Sequence, residues 1–468
     1  MKRILLLLLF PAFIACTATD KDVTHVKIVA ENATFEEAEL AYFTDFLTRS
    51  RESVKATRQD DGTFSFEIQA NYPVIANITL GDKRMNVFLD KSSNLQIMAD
   101  MDDLENSVVF EGSLANENKF LKLYSREYEP TYNRQVFMGM MREAQPDDFT
   151  AFANNAIEDV TGTMAEFHAS NPLSNSFRKY FSTDFQYQVY GYQLMYPMYL
   201  DFFFDEEDMP EIPENYFSFL DDATDFTREK LMVASCASFH STYIQYYLSE
   251  QSERVPDGIT YPEMIQWVAG DAFEGDARNY TEAFAINFKF NHGDFHAAVE
   301  DYEAFKVSND WELLNELLAT TYNNAARVAP GVVAPEIALT DINGNEVALS
   351  DFRGKVVYLD FWASWCGPCM REVPYAKELK QRFEGEEDLV FLYVSVDDDE
   401  QAWRRTVEQQ QIQGVHLNVK GMRHEVAQSY NVQGVPSFFL IDRDGVIHNN
   451  NPSRPSGETI DEELRALL

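Results

Sequence analysis

Between His25 and Glu111 apolar and polar residues alternate over short runs, HVKIVAE, GTFSFEI, YPVIANITL, MNVFLD and NLQIMAD. Turn residues at Asp60-Asp61-Gly62, Gly81-Asp82 and Asp90-Lys91 separate several of them. A period of two broken by tight turns predicts half-buried strands, here an antiparallel β-sandwich over residues 25–115. From Asn116 the period lengthens. YFSTDFQYQVYGYQLMYPMYLDFFF and ENYFSFLDDATDFTREKLMVASCASFHSTYIQYYLSE place apolar side chains at helical spacing, which predicts an all-α middle domain over residues 116–328. Ala329-Pro330-Gly331 and Ala334-Pro335 then punctuate the chain. Beyond them the strand-like runs VVYLDF, DLVFLYVSV and SFFLI alternate with helical stretches, one around Trp403 and a last one near Ile460. That alternation predicts an α/β sheet covered on both faces, over residues 329–468.

The first residues follow another pattern. Lys2 and Arg3 precede an apolar stretch from Ile4 to Ile14, which ends at Ala15-Cys16. This is the layout of an export signal, residues 1–15, and it is too short to span a bilayer. A small residue directly before a cysteine at such a boundary resembles a bacterial lipobox, which would make Cys16 the lipidated first residue of the mature chain. Residues 16–24 would then be a tether. Thr17 after Cys16, rather than Asp, implies by family analogy an outer-membrane lipoprotein anchored to the membrane through its lipid.

Composition narrows the function classes. The chain has 468 residues and a formal net charge of −39, too long for one core and too acidic to favour nucleic-acid phosphates or anionic lipid. Most of that charge is expected to solubilise the surface, with basic partners favoured. Aromatic residues at helical spacing are expected to be interior rather than a binding groove. Cys236 in LMVASCASF reads as a buried thiol. His292 and His296 stand four apart, but Gly293-Asp294 between them reads as a helix start rather than part of a metal site. The acidic run Asp397-Asp398-Asp399-Glu400 reads as favourable charge at the start of the helix holding Trp403.

The chemistry concentrates at VVYLDFWASWCGPCMREVP, Val356 to Pro374. The β-branched and aromatic run predicts a buried strand, and Met370, Val373, Ala376 and Leu379 predict a helix that Pro368 can open, because the first turn asks for no N–H there. Cys366 falls at the helix entrance, where free N–H groups and the positive end of the dipole stabilise a thiolate, which makes it the nucleophile. Cys369 lies one turn inside and becomes the resolving thiol. Asp360, in the apolar strand beneath, is expected to be desolvated and to hold its proton toward neutral pH, and Glu372 is a second candidate acid. A structural zinc site would need a second C-x-x-C or a histidine pair, and haem attachment a His where Met370 stands. No metal or other cofactor is therefore expected, and the Cys366–Cys369 disulfide itself carries the electrons.

DFWASWCGPC, Asp360 to Cys369, resembles the thioredoxin active site, with Asp360 and Trp365 at matching positions and Gly367-Pro368 between the cysteines. APEIALTDINGNEVALSDFRGK, Glu372-Val-Pro374 and Gly434-Val435-Pro436 make the C-terminal region similar to the TlpA/ResA subfamily. VVFEGSLANENKFLKLY, Val108 to Tyr124, ends a stretch similar to the β module that precedes such domains in lipoproteins of Bacteroidetes-type bacteria. The resemblance implies a thioredoxin fold, a cis Pro436 against the cysteine pair, and a substrate-binding rim of Trp365, Gly367, Pro368, Val435 and Pro436, with the Val435 backbone pairing with an extended client. The Pro and the Thr or Ser that a peroxiredoxin carries upstream of its reactive cysteine are replaced by Leu359 and Ala363. The function implied is that of an exported protein-disulfide reductase supplied with electrons by a membrane donor of DsbD or CcdA type. Its clients would be disulfide-containing envelope proteins such as cytochrome c apoprotein, secreted enzymes or a partner oxidoreductase. A disulfide isomerase, or a binding lipoprotein with a redox-sensitive lock, is the alternative.

Overall fold

The alternating runs form strands whose inward residues are almost wholly buried. β1 (Thr24–Glu31), β4 (Thr63–Ile68), β7 (Asn94–Asp100) and the short β8 (Val109–Glu111) make one four-stranded sheet in the order β4-β1-β7-β8. β2 (Glu37–Phe43), β3 (Arg51–Thr57), β5 (Val74–Leu80) and β6 (Lys83–Leu89) make the other, in the order β3-β2-β5-β6. Ile28, Phe64, Leu40, Ile78 and Ile97 on alternate positions are fully buried, each burial contributing about 1.5–3 kcal/mol before conformational entropy is counted. The pairing departs from the expected antiparallel pattern at one place, since β1 runs parallel to β7. Five strands lie between them in sequence, enough chain to return in the same direction, and alternation reports which face is buried but not which strand lies alongside.

The structure, a computed structural model, describes residues 23–69, 73–204, 209–292 and 295–468. The proposed signal and Cys16 lie outside the described residues. Two units share the chain, Met1–Tyr246 and Tyr247–Leu468, so the helical stretch 116–328 is divided between them. In the first unit the helix Ala115–Glu127 closes a sheet edge, because the buried Asn118 accepts the Phe88 N–H at 2.8 Å and donates to the Phe88 carbonyl at 3.1 Å. Gly112 sits at φ +100°, where a Cβ would lie 2.7 Å from the Asn94 carbonyl oxygen, so only glycine suits the turn into that helix. Aromatic side chains of these runs line the helical interior, as in the stacked pairs Phe137–Tyr192 and Phe149–Tyr196, whereas Phe202 and Tyr199 are exposed.

In the second unit the helices Tyr261–Ala272, Gly275–His292, Phe295–Ser308 and Glu312–Ala326 precede a hairpin of β9 (Ala338–Thr340) and β10 (Glu346–Ala348) and a five-stranded sheet. His292 and His296 fall on separate helices, and Gly293-Asp294 lies outside the described residues. The sheet comprises β11 (Val356–Trp362), β12 (Leu389–Ser395), β13 (Val415–Asn418), β14 (Ser437–Ile441) and β15 (Ile447–Asn449), in the order β13-β12-β11-β14-β15. β11 lies between parallel β12 and antiparallel β14, and all seven of its residues are buried. A central strand covered on both faces has to be apolar throughout, which makes Asp360 within it conspicuous.

Candidate functional site

β11 ends at Trp362, and the chain turns through Ala363–Cys366 with the Cys366 N–H donating to the Ala363 carbonyl at 3.1 Å. The helix Gly367–Arg382 then begins with Cys366 as its N-cap. An N-cap side chain normally offers oxygen to the exposed N–H groups of the first turn. Here the acceptor is sulfur, and Cys366 Sγ takes the Cys369 N–H at 3.1 Å. Lys380 and Arg382 in the last turn complement the opposite end of the dipole.

Cys366 and Cys369 are joined as a disulfide with their Cα atoms 5.2 Å apart. In this oxidised form the nucleophile at the helix entrance and the partner expected one turn inside are equally covered, each 4% exposed. Cover over Cys366 comes in part from the loop before β14, where the Val435 carbonyl oxygen lies 3.5 Å from its sulfur and the Val435–Pro436 peptide is cis. Trp365 stands out beside the pair at 65% exposure, and Gly367 and Pro368 are exposed with it. Val435 and Pro436 are half-buried, and β14 begins only at Ser437, so the Val435 backbone lies outside the strand ladder. The residues expected to form a rim thus surround the disulfide, brought together from two stretches about seventy residues apart.

Beneath the helix, Asp360 is 8% exposed, and its Oδ1 is buried without a hydrogen-bond partner. Burial, and then the Glu372 carboxylate, raise its pKa from 3.8 to about 8. Burial likewise drives the Tyr358 and Tyr393 hydroxyls well above their ordinary value. Glu372 is only partly covered and is differently placed. It accepts both the Ser456 N–H and the Ser456 hydroxyl, each at 3.0 Å. An acid without a hydrogen-bond partner in an apolar layer keeps its proton. The arrangement therefore makes Asp360 the proton holder, while Glu372 is tied to Ser456.

Sequence reading missed Ser456, which reaches Glu372 from 84 residues away, a distance no local signal covers. It also missed Ser364 and Asp397, joined by three hydrogen bonds of 2.6 to 3.2 Å. For Asp397 a signal existed, since it is the member of the acidic run nearest the buried strand β12. Cys236 is buried and free, its thiol pushed up by burial, with Tyr187 close by. Among the described residues no group of three metal-capable side chains forms.

A family profile described as Redoxin matches residues 329–465. The thiol-disulfide oxidoreductase ResA of Geobacillus kaustophilus is 33% identical over 159 residues, covering 33% of this chain and 90% of that protein. ResA of Bacillus cereus is 30% identical over 146 residues, 31% of this chain and 83% of that protein. Among solved structures, the thioredoxin domain of a thiol-disulfide oxidoreductase from Bacteroides vulgatus is 31% identical, with a TM-score of 0.27, covering 30% of this chain and 96% of that one. Through its C-terminal region the chain belongs to the ResA family and is a thiol-disulfide oxidoreductase.

Proposed function

We propose that this protein is an exported lipoprotein that reduces disulfides of envelope proteins, with Cys366 as nucleophile, Cys369 as resolving thiol and Asp360 as the group that takes the proton from Cys369. The observation that carries the reading is the sulfur of Cys366 in the N-cap position, already accepting a helix N–H. The donor that meets that sulfur in the disulfide would meet a thiolate more strongly once the pair is reduced.

The reduced enzyme starts the cycle. Cys366 thiolate attacks one sulfur of a client disulfide, forming a mixed disulfide and expelling the other client sulfur, which takes a proton from water. Asp360 acts in its ionised form, a minority of the population near neutral pH with its pKa raised to about 8; it takes the Cys369 proton as Cys369 attacks Cys366 Sγ. The enzyme disulfide forms, the mixed disulfide breaks, and the second client sulfur leaves as a thiolate that takes a proton from water. Two electrons have passed from the Cys366–Cys369 pair to the client, which ends as two thiols. A buried acid without a hydrogen-bond partner is suited to keeping the proton it has received, and Glu372 beside it is held in place by Ser456. Returning the pair to the dithiol takes two electrons and two protons, for which a membrane thiol donor of DsbD or CcdA type is the proposed source. No further cofactor enters the cycle.

Direction rests on chemistry between the cysteines. Gly367-Pro368 is the pair found in thioredoxin, whose potential of about −270 mV is strongly reducing. Trp365, Pro368 and Val435 would receive the client as an extended segment, and cytochrome c apoprotein is one client class the family resemblance suggests.

Reduction of insulin disulfides by the full chain, driven by a small dithiol, tests the reading. Cys366→Ser should bring the rate down to that of the dithiol alone. Cys369→Ala, expressed in cells, should accumulate client proteins as mixed disulfides on Cys366. Undiminished turnover by Cys366→Ser would sink the assignment.

A further inference from the structure

The acidic run after β12 divides by role. Asp399 accounts for the helix start, accepting the N–H groups of Gln401 and Ala402 at 2.8 and 3.1 Å. Asp397 does not. It is turned inward, 1% exposed, and its carboxylate accepts the Ser364 N–H at 2.9 Å, the Ser364 hydroxyl at 2.6 Å and the Ser395 hydroxyl at 2.7 Å. Ser395 Oγ in turn accepts the Asp397 N–H at 3.0 Å and the Asn418 amide at 3.1 Å, which fixes the carboxylate from behind. A carboxylate buried this deeply needs such donors, and each donor it meets depends on it in the same way.

Ser364 is the middle of the turn that delivers Cys366. One side of that turn is closed by its own Cys366 N–H to Ala363 carbonyl bond, and the other is tied to Asp397. We propose that Asp397 is a positioning residue for the thiol exchange: through Ser364 it holds the turn Ala363–Cys366, so that Cys366 Sγ stays on the Cys369 N–H at the helix mouth. The proposal rests on the thiol-exchange reading, and it adds a residue that touches neither sulfur. Small displacements of a reacting group cost large factors in rate, so a clamp at this point has leverage.

The test uses the full-length protein with Asp397→Asn and Ser364→Ala. In the reduced protein at neutral pH, the rate of alkylation of Cys366 by iodoacetamide should fall about tenfold in Asp397→Asn, the scale of one lost charge-assisted hydrogen bond. Ser364→Ala, which keeps the charge and the backbone bond but loses the hydroxyl, should give a smaller fall in the same direction. Ser364→Thr, which keeps both donors, should restore the parent rate. Turnover with insulin should lose kcat with KM little changed. A lowered melting temperature with the alkylation rate and kcat unmoved would leave Asp397 a purely structural residue and overturn the proposal. A faster alkylation in Asp397→Asn, the result expected from removing a nearby negative charge alone, would overturn it too. If Asp397→Asn does not fold, the two Ser364 variants decide by the same readout. Alkylation is a property of the thiol itself, so it judges Asp397 independently of whether insulin is reduced.

Discussion

Asp360 and Glu372 show how two like side chains meet different surroundings, one buried without a hydrogen-bond partner and one held by Ser456. Asp360 holds a proton that an unfolded chain would release, because its folded pKa lies near 8 against an ordinary 3.8. Between those values the native state binds the extra proton, so the stabilisation is full below about pH 4 and is lost as pH rises toward 8, at up to about 1.4 kcal/mol per pH unit. Asp360→Asn should therefore flatten the pH dependence of urea unfolding of the oxidised protein in that window. It should leave the variant the more stable protein at pH 8 and little changed at pH 4. Equal slopes for variant and parent would place the proton elsewhere. The same substitution should slow the resolving step about 100-fold, the scale of a lost general base, measurable as persistence of the mixed disulfide. Asp360 was readable in the sequence because a charged residue in a wholly apolar strand must have a reason. Ser456, which holds Glu372, was not, since its place in a polar loop looks like any other serine.

At the scale of elements, β11 and the helix after it divide the labour between stability and chemistry. Leu359 is fully buried in the central strand, so Leu359→Ala should cost about 2–5 kcal/mol in urea unfolding through the cavity it leaves. Trp365 contributes little to that core at 65% exposure. Trp365→Ala should keep stability within about 0.5 kcal/mol while raising KM for a protein client severalfold. A KM equal to the parent value would remove Trp365 from the client-binding rim. These elements were legible because each announces itself locally, through β-branched density or a cap. The parallel neighbour of β1 was not, because pairing is decided by chain segments many residues apart.

The whole molecule adds charge and address. A net charge of −39 should speed encounter with basic clients and slow it with acidic ones, so reduction of a basic disulfide protein should fall about tenfold or more from low to high salt. An unchanged rate would assign the acidity to solubility alone. If Cys16 carries lipid, Cys16→Ser should move the protein from the membrane fraction to the soluble one while insulin reduction stays as it was. The sequence alone determined a set of local facts: the periods, the helix entrance at Cys366, the cysteine spacing and the acid in the strand, all of which act within a turn or two of chain. Only tertiary structure decided that Val435 covers Cys366, that Ser456 holds Glu372 and that Asp397 reaches Ser364. Each joins segments more than thirty residues apart, and a hydrogen bond across such a gap is specified by how the sheet and its loops pack, which no local pattern encodes.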